Sequence, residues 1–333
     1  MKIILPDASI LKNAGKTIYT GYARAWEHHG HEVLAVNGAQ ALCSTYQESL
    51  RDGEKYKIMI DDFNLSSVLA SSPGTTWELV LSIIEKSEKC YIFTQPTRFP
   101  DPWGTHVNFV SGFSRFNFLD GAGLDAIKTL NQMENVHLWN WVEQTPEIKD
   151  SFYKEWKDIS YIPLAFDSIS YKKDLWVSAD RHDVCYVGGR ANNGFNEKEK
   201  IMFSCWKPLM ESGLNCGIFI DRNLSHEQEN KLLDTSKVSL NIHDNYQRIL
   251  GLDTNERTFK ALGLTGVLVS DNIKAIENLF PEMPMYNTTD EMMSLIDRYL
   301  SNEKLLIETK KHYRNDIMEN HTYIHRVKKL IDL

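Results

Sequence analysis

Several short signatures are missing from this sequence, and each absence removes a class of site. There is no Cys-x-x-Cys pair, no Walker lysine motif, no Gly-x-Gly-x-x-Gly and no Asp-x-Asp. The five cysteines, at 43, 90, 185, 205 and 216, are odd in number and scattered. They read as reduced, mostly buried thiols rather than a disulfide or zinc framework. Asp61-Asp62 is adjacent rather than spaced by one, so the metal–diphosphate signature is absent and no metal is called for. In His28-His29-Gly30-His31 the glycine ends a helix, so the imidazoles diverge and suit a helix C-terminus better than a metal. No apolar run approaches the roughly 20 residues of a membrane-spanning helix. The apolar part of Met1 to Asp7 is too short for a signal peptide and reads as a first strand. The expected location is cytoplasmic. Positive charge is scarce too: 37 Lys and Arg against 45 Asp and Glu give a net charge of −8. Proteins that bind chiefly by neutralising phosphates are usually basic, so a broad nucleic-acid surface is disfavoured and only a local basic groove remains open.

What the sequence does have is the composition of a globular protein, 42% hydrophobic and 11% aromatic over 333 residues, enough for two ordinary domains. Strand-length apolar runs alternate with amphipathic segments of helical length, the pattern of parallel sheets covered by helices. Lys2 to Leu5, Val33 to Val36, Ile58 to Ile60, Tyr91 to Phe93 and Val136 to Trp139 read as strands. Thr17 to His29 carries Ile18, Tyr22, Ala25 and Trp26 at helical spacing. The aromatic stretch Trp139, Trp141, Phe152, Tyr153, Trp156 and Tyr161 reads as core, with stacking on a ring ligand as the alternative. After a change of register near Ile162 to Asp167 a second series begins, with strands at Asp183 to Val187, Cys216 to Ile220, Val238 to Ile242 and Val267 to Ser270. Glu303 to Leu333 reads as helix throughout. The predicted division is 1–167, 168–310 and a terminal helix, 311–333, crossing back to the first domain. Two α/β halves of this kind are expected to face a ligand across a cleft at the carboxyl ends of their strands.

Two blocks carry chemistry. The first runs from a buried strand into Gly188-Gly189-Arg190 and then a helix. Glycines let the backbone approach a phosphate, a helix N-terminus supplies free N–H groups, and Arg190 adds a bidentate donor. The alternative is a merely tight turn. The second block holds His243-Asp244, then Thr254 or Asn255 as a helix cap, Arg257 in the first turn and Lys260 on the next. A basic group in a first turn opposes the helix dipole, which an anion bound there would explain; the alternative is that Glu256 offsets Arg257. His243 stands at a strand end, a cleft position. In the first half, Lys16 lies in a loop ahead of a helix, as an acceptor or diphosphate contact or as a solvated residue. Asp101, in the rigid turn Phe99-Pro100-Asp101-Pro102-Trp103, and then Asp62 at a strand end are the candidate general bases, since an aromatic surround raises a carboxyl toward working pH.

The second block and the residues C-terminal to it carry a resemblance. Arg257-Thr258-Phe259-Lys260-Ala261 with Gly266, then Leu295-Ile296-Asp297-Arg298-Tyr299-Leu300, then His321-Thr322-Tyr323-Ile324-His325-Arg326 are similar, in order, to the C-terminal half of GT-B-fold glycosyltransferases, especially the CgeB-like group. That resemblance implies a fold of two Rossmann-like α/β domains and a nucleotide-sugar donor. The family usually has Glu where Lys260 stands, a residue that grips the donor ribose; Glu256 or Glu277 is the alternative carboxylate. Over more of the chain, Thr17-Ile18-Tyr19, Tyr91-Ile92-Phe93-Thr94 with Arg98-Phe99-Pro100, Asp183 to Gly189, Arg257 and Lys328 to Leu333 resemble the bacteriophage DNA β-glucosyltransferases, which modify hydroxymethylcytosine. There the catalytic carboxylate follows the Phe-Thr step, whereas Gln95 stands in that place here. The resemblance implies transfer of a hexosyl or pentosyl unit from a UDP-sugar, with Gly188, Gly189, Arg190 and Arg257 on the diphosphate and His243, Glu256 and Lys260 on the nucleoside or sugar. No cofactor is required, and the acceptor implied is a hydroxymethylated base in DNA. The alternatives are a polysaccharide, lipid-linked or small-molecule acceptor, a non-catalytic nucleotide-sugar-binding module, or an epimerase on the same fold.

Overall fold

The computed structural model describes residues 1–11, 13–37, 42–43, 46, 50, 53–71, 74–94, 121–171, 182–189 and 198–333. The chain divides into two compact units, Met1–Pro163 with Val327–Leu333, and Leu164–Arg326.

The first unit contains β1 (Lys2–Pro6), α1 (Asn13–His28), β2 (Glu32–Val36), β3 (Tyr56–Asp61), α2 (Asp62–Ser71), α3 (Thr75–Lys86), β4 (Lys89–Phe93), α4 (Gly121–Gln132), β5 (Val136–Asn140), α5 (Pro146–Phe152) and β6 (Ile159–Tyr161). Its strands form one six-stranded sheet in the order β2-β1-β3-β4-β5-β6, and every pairing is parallel. Strands covered on both faces must be apolar on both, and Ile3 to Leu5, Ile58 to Ile60 and Cys90 to Ile92 are all buried. The predicted stripe Ile18, Tyr22, Ala25 and Trp26 packs inward from α1. That helix begins at Asn13, earlier than the apolar spacing indicates, so Lys16 sits exposed in its first turns rather than in a loop. It ends as expected at Gly30, whose φ of 80° lets the His31 amide reach back to Trp26 O at 3.1 Å. The aromatic stretch is core: Trp139, Phe152, Tyr153 and Trp156 are buried, and the Trp139 ring meets Tyr22 and Phe93 edge-on at centroid distances of 5.4 and 5.0 Å.

The second unit contains β7 (His182–Gly188), α6 (Lys198–Glu211), β8 (Cys216–Ile220), α7 (His226–Asp234), β9 (Ser236–Asn241), α8 (Asn245–Leu250), α9 (Glu256–Leu264), β10 (Leu268–Asp271), α10 (Lys274–Leu279), β11 (Met285–Tyr286), α11 (Thr289–Leu300), α12 (Glu303–Asn320) and the first residues of α13 (Tyr323–Asp332). Its sheet has five parallel strands in the order β11-β10-β9-β7-β8. Val184, Tyr186, Val238, Leu240 and Val269 on the sheet pack with Met202 and Leu209 of α6 and with Met292 and Ile296 of α11. The C-terminal segment departs from the single helix read from the sequence. It breaks at His321-Thr322, where Thr322 forms a parallel bridge with Phe166. The Phe166 amide donates to His321 O at 2.8 Å and the Tyr323 amide to Phe166 O at 3.1 Å, so these backbone groups are satisfied by strand-type bonds in place of helical ones. Within α13 the chain passes from one unit to the other: Val327 and Leu330 are fully buried, and Lys89 Nζ of β4 donates to Ile331 O at 3.0 Å.

Candidate functional site

In each sheet the strand order reverses direction once, between β1 and β3 in the first unit and between β7 and β9 in the second. Connections leave such neighbouring strands toward opposite sides, which opens a crevice at their carboxyl ends where α/β folds bind ligands. In the second unit this point is bounded by Gly188 at the end of β7 and Gly189 after it, by Asn241 at the end of β9 and the residues to Asp244, and by the N-terminus of α9. Asn255 caps that helix by accepting the Thr258 amide on its side chain.

Arg257 spans the reversal. Its Nε donates to Val187 O of β7 at 2.7 Å, its Nη1 donates to Asn241 Oδ1 of β9 at 2.9 Å, and its guanidinium lies 4.7 Å over the Tyr186 ring. Gly188 is required by this approach: a Cβ there would collide with Nη2 and come within 2.7 Å of Cζ and 2.9 Å of Nε. The residue is only 8% exposed. Its partners are neutral, and among the described residues no carboxylate lies within ion-pairing distance of it. A nearly buried cation is ordinarily paired with an anion, and among the described residues Arg257 has none. A second cation adjoins it. Lys198, the first residue of α6, is buried and bonded to Asp244 Oδ1 at 2.6 Å. Burial, followed by the charge of Arg257, pulls the Lys198 ammonium below its ordinary value in spite of that carboxylate. Arg190 lies outside the described residues; of the two glycines before it, Gly188 ends β7 against Arg257 and Gly189 lies beside Asp221.

His243 occupies a different place from the one its sequence position suggests. It is fully buried behind the crevice, with Nδ1 2.6 Å from Asp271 Oδ1 and Nε2 2.8 Å from Thr254 Oγ1. Both ring nitrogens are spent on protein, which makes it a support rather than a donor contact. Burial pushes the Asp271 carboxyl up, but His243, Arg248 and the His243 amide together hold it below the usual carboxylate range. Lys260 likewise turns into the protein. Its ammonium lies 2.7 Å from Glu229 Oε1 and 3.2 Å from Glu256 Oε2, and Tyr171 Oη donates to Glu229 Oε2 at 2.7 Å. Burial lowers the Lys260 value, but the two carboxylates carry it above that of an ordinary lysine; burial raises Glu229, but Lys260 and Tyr171 bring it below an ordinary glutamate. Glu256 therefore offsets Lys260 and not Arg257. Glu277, on α10, is exposed and paired with Lys274 at 2.7 Å.

In the first unit Asp61 ends β3 at the reversal and Asp62 follows it. Asp61 accepts from Tyr19 Oη at 3.0 Å and from the Asn64 amide at 2.7 Å, so it caps α2. Burial raises its carboxyl in spite of those donors. Asp62, the sequence candidate, is the buried first residue of α2. Asp101 and Gln95 lie outside the described residues. Sequence reasoning missed Asn241, Glu229 and Lys198. Asn241 carries a signal in hindsight, an amide at the carboxyl end of a strand, where parallel sheets meet their ligands, whereas Glu229 and Lys198 meet their partners only through the fold.

Two Rossmann-like parallel units in one chain define the GT-B class of fold, and comparison with solved structures agrees with it. T4 phage β-glucosyltransferase bound to its substrate UDP-glucose superposes with a TM-score of 0.56 at 13% identity, covering 100% of each chain. An α-glucosyltransferase in complex with UDP and a 13-mer DNA containing an HMU base gives 0.58 at 10% identity, covering 99% of this chain and 98% of that one. TarM gives 0.52 at 12% identity over 88% of this chain and 57% of its own. Residues 184–332 match a family model described as glycosyl transferase-like. No curated protein matches the chain by sequence. No helix among the described residues is long and apolar enough to cross a membrane.

Proposed function

We propose that this protein is a glycosyltransferase that moves a hexosyl or pentosyl unit from a UDP-sugar to an acceptor hydroxyl. The observation that carries the reading is Arg257, a nearly buried guanidinium with no carboxylate partner among the described residues, at the strand-order reversal of a unit that matches a glycosyl transferase-like model. A UDP-sugar supplies the missing anion as its diphosphate. Arg257 and Arg190, the Gly188 and Gly189 amides and the N-terminus of α9 then stabilise the charge that builds on the diphosphate as the sugar leaves. The acid cluster around Lys260 has one cation and two carboxylates. Its surplus negative charge suits a hydroxyl donor rather than a phosphate, and Glu256 is assigned to the donor ribose. The first unit takes the acceptor, with Asp101 or Asp62 removing the hydroxyl proton. For the acceptor we favour a hydroxymethylated cytosine in DNA, extruded from the helix to reach the site. Neighbours of the same fold are a DNA-modifying β-glucosyltransferase and an α-glucosyltransferase solved with DNA.

The test is a mixed-sequence duplex containing hydroxymethylcytosine, incubated with labelled UDP-glucose and labelled UDP-pentoses. Label in the DNA is expected with one donor. If the protein binds UDP and labels no DNA with any donor, the DNA acceptor is refuted and a saccharide or small-molecule acceptor takes its place. A second reading, a binding module without turnover, draws on Lys260 standing where the resemblance calls for glutamate. Hydrolysis of UDP-sugar in the absence of acceptor separates the two, because a pure binder gives none.

A further inference from the structure

Behind Arg257 lies a continuous chain of buried polar groups that reaches the guanidinium from β10. Asp271 Oδ1 is 2.6 Å from His243 Nδ1, and His243 Nε2 is 2.8 Å from Thr254 Oγ1. Thr254 Oγ1 is 2.6 Å from Thr258 Oγ1, and Asn241 Nδ2 donates to Thr258 Oγ1 at 3.0 Å. Asn241 Oδ1 accepts from Arg257 Nη1 at 2.9 Å. His243, Asn241, Thr258 and Asp271 are at most 1% exposed and Thr254 is 6% exposed, so solvent does not compete along the chain.

The two ends of the chain set the direction of its links: a carboxylate that only accepts at Asp271 and a guanidinium that only donates at Arg257. Asp271 is ionised, held so by His243, Arg248 and the His243 amide against the effect of burial. A carboxylate only accepts, so His243 Nδ1 carries a proton, and Nε2 offers a lone pair when the ring carries that proton alone. Thr254 spends its single hydroxyl hydrogen on that lone pair, which leaves its oxygen to accept from Thr258. Thr258 has then spent its own hydrogen and accepts from the Asn241 amide nitrogen. With Nδ2 committed to Thr258, the side-chain oxygen of Asn241 faces Arg257. A second line agrees with this orientation. Asn255 Oδ1 is used in capping α9, which turns its Nδ2 toward Asn241 Oδ1 at 3.1 Å. Were Asn241 reversed, its amide hydrogens would confront both the Asn255 amide and the guanidinium.

We infer that Asp271, His243, Thr254, Thr258 and Asn241 are positioning residues: a one-directional relay that presents the Asn241 oxygen to Arg257 and so fixes the guanidinium for the nucleotide diphosphate. The functional half of this rests on the nucleotide-sugar reading above; the relay itself does not. Thr258 is the informative link, because valine matches its shape without the hydroxyl and serine keeps the hydroxyl without the methyl. A relay makes valine the harmful change and serine the tolerated one, while a packing role reverses that order.

The experiment uses the full chain at pH 8 with Thr258→Val, Thr258→Ser, Thr254→Val and Thr254→Ser. Three quantities are measured: the His243 tautomer from its ring 15N shifts, solvent exchange of the Arg257 Nε–H, and UDP affinity by calorimetry. The wild type is expected to show the Nδ1–H tautomer and a slowly exchanging Arg257 Nε–H. Each valine variant speeds that exchange and weakens UDP binding about tenfold, the equivalent of one hydrogen bond to a charged group, and each serine variant restores both. An Nε2–H tautomer in the wild type overturns the relay. So do serine variants that fall as far as the valine ones, or valine variants that leave the arginine signal unchanged. If valine fails to fold at position 258, the pair at 254 decides by the same ordering, and the wild-type tautomer is independent of both. Absence of UDP binding in the wild type, with the arginine exchange still obeying the valine–serine order, refutes the nucleotide reading and leaves the relay standing.

Discussion

Gly188→Ala isolates the contact on which the proposed donor site depends. Gly188 is not among the glycines with positive φ, so alanine is tolerated by the backbone and the effect comes from the side chain alone. The added Cβ would meet Nη2 of Arg257 and lie 2.7 Å from Cζ and 2.9 Å from Nε, so the guanidinium has to leave. Leaving breaks the bonds to Val187 O at 2.7 Å and to Asn241 Oδ1 at 2.9 Å. At about 1.5–3 kcal/mol for each hydrogen bond involving a charged group, the direct loss is about 3–6 kcal/mol where neither is remade. An arginine swung toward solvent recovers hydration but no longer presents its nitrogens to the crevice. Losing one guanidinium–phosphate contact of about 1.5–3 kcal/mol weakens UDP binding roughly 10- to 150-fold. Calorimetric titration with UDP reads the affinity, and a thermal melt reads the stability. Gly189→Ala serves as the comparison for the melt alone, since its Cβ lies 3.2 Å from Oδ1 of Asp221 and meets no atom of Arg257. Gly188→Ala with wild-type UDP affinity and an unshifted melt would refute the placement of Arg257 and with it the proposed donor site.

Lys260→Met leaves Glu229 and Glu256 facing each other without their cation, and breaking a buried pair in this way costs about 3–5 kcal/mol. The sign of its pH dependence is set by the carboxylates. In the wild type Glu229 lies below its ordinary value, so its contribution is present above about pH 4.3 and is lost as pH falls through the folded value. In the variant the abandoned carboxylates are raised instead, so the variant gains stability relative to wild type as pH drops from 8 to 5. Parallel melting curves across that range would contradict the ion-pair assignment. At the C-terminus, Leu330→Ala removes a fully buried side chain from the segment that groups with the first unit, with an expected loss of about 2–5 kcal/mol in urea unfolding. An unchanged midpoint would show that the segment packs elsewhere.

What the sequence made legible was what period and punctuation encode. Apolar strands alternating with amphipathic segments specify two parallel sheets, and Gly30 and Gly266, both with positive φ, stop their helices where a left-handed residue is needed. Gly188 and Arg257 were visible as a type of residue at a type of position. Their meaning was not, because the guanidinium and the glycine that admits it are neighbours only through the pairing of β7 with β9. The same limit explains His243: a histidine at a strand end reads as a crevice residue until β10 places Asp271 beside it. It explains the break at Thr322 as well, since the competing backbone partner, Phe166, lies far away in sequence.

The first turns of α9 carry two cations, and the fold treats them in opposite ways. Lys260 is surrounded by acids from two helices and a tyrosine hydroxyl, so its charge is cancelled within the protein. Arg257, in the turn before it, is given only carbonyl and amide oxygens and an aromatic face. Neutral acceptors orient a guanidinium without neutralising it. If Arg257 served stability alone, a carboxylate would be the natural partner, and Glu256, adjacent in sequence, was at hand; the structure turns Glu256 to Lys260 instead. On the proposed reading, a cation held desolvated and unneutralised at a helix N-terminus costs stability in the empty protein, and a bound diphosphate restores it. UDP is therefore expected to raise the melting temperature of the wild type more than that of any variant in which Arg257 has been displaced.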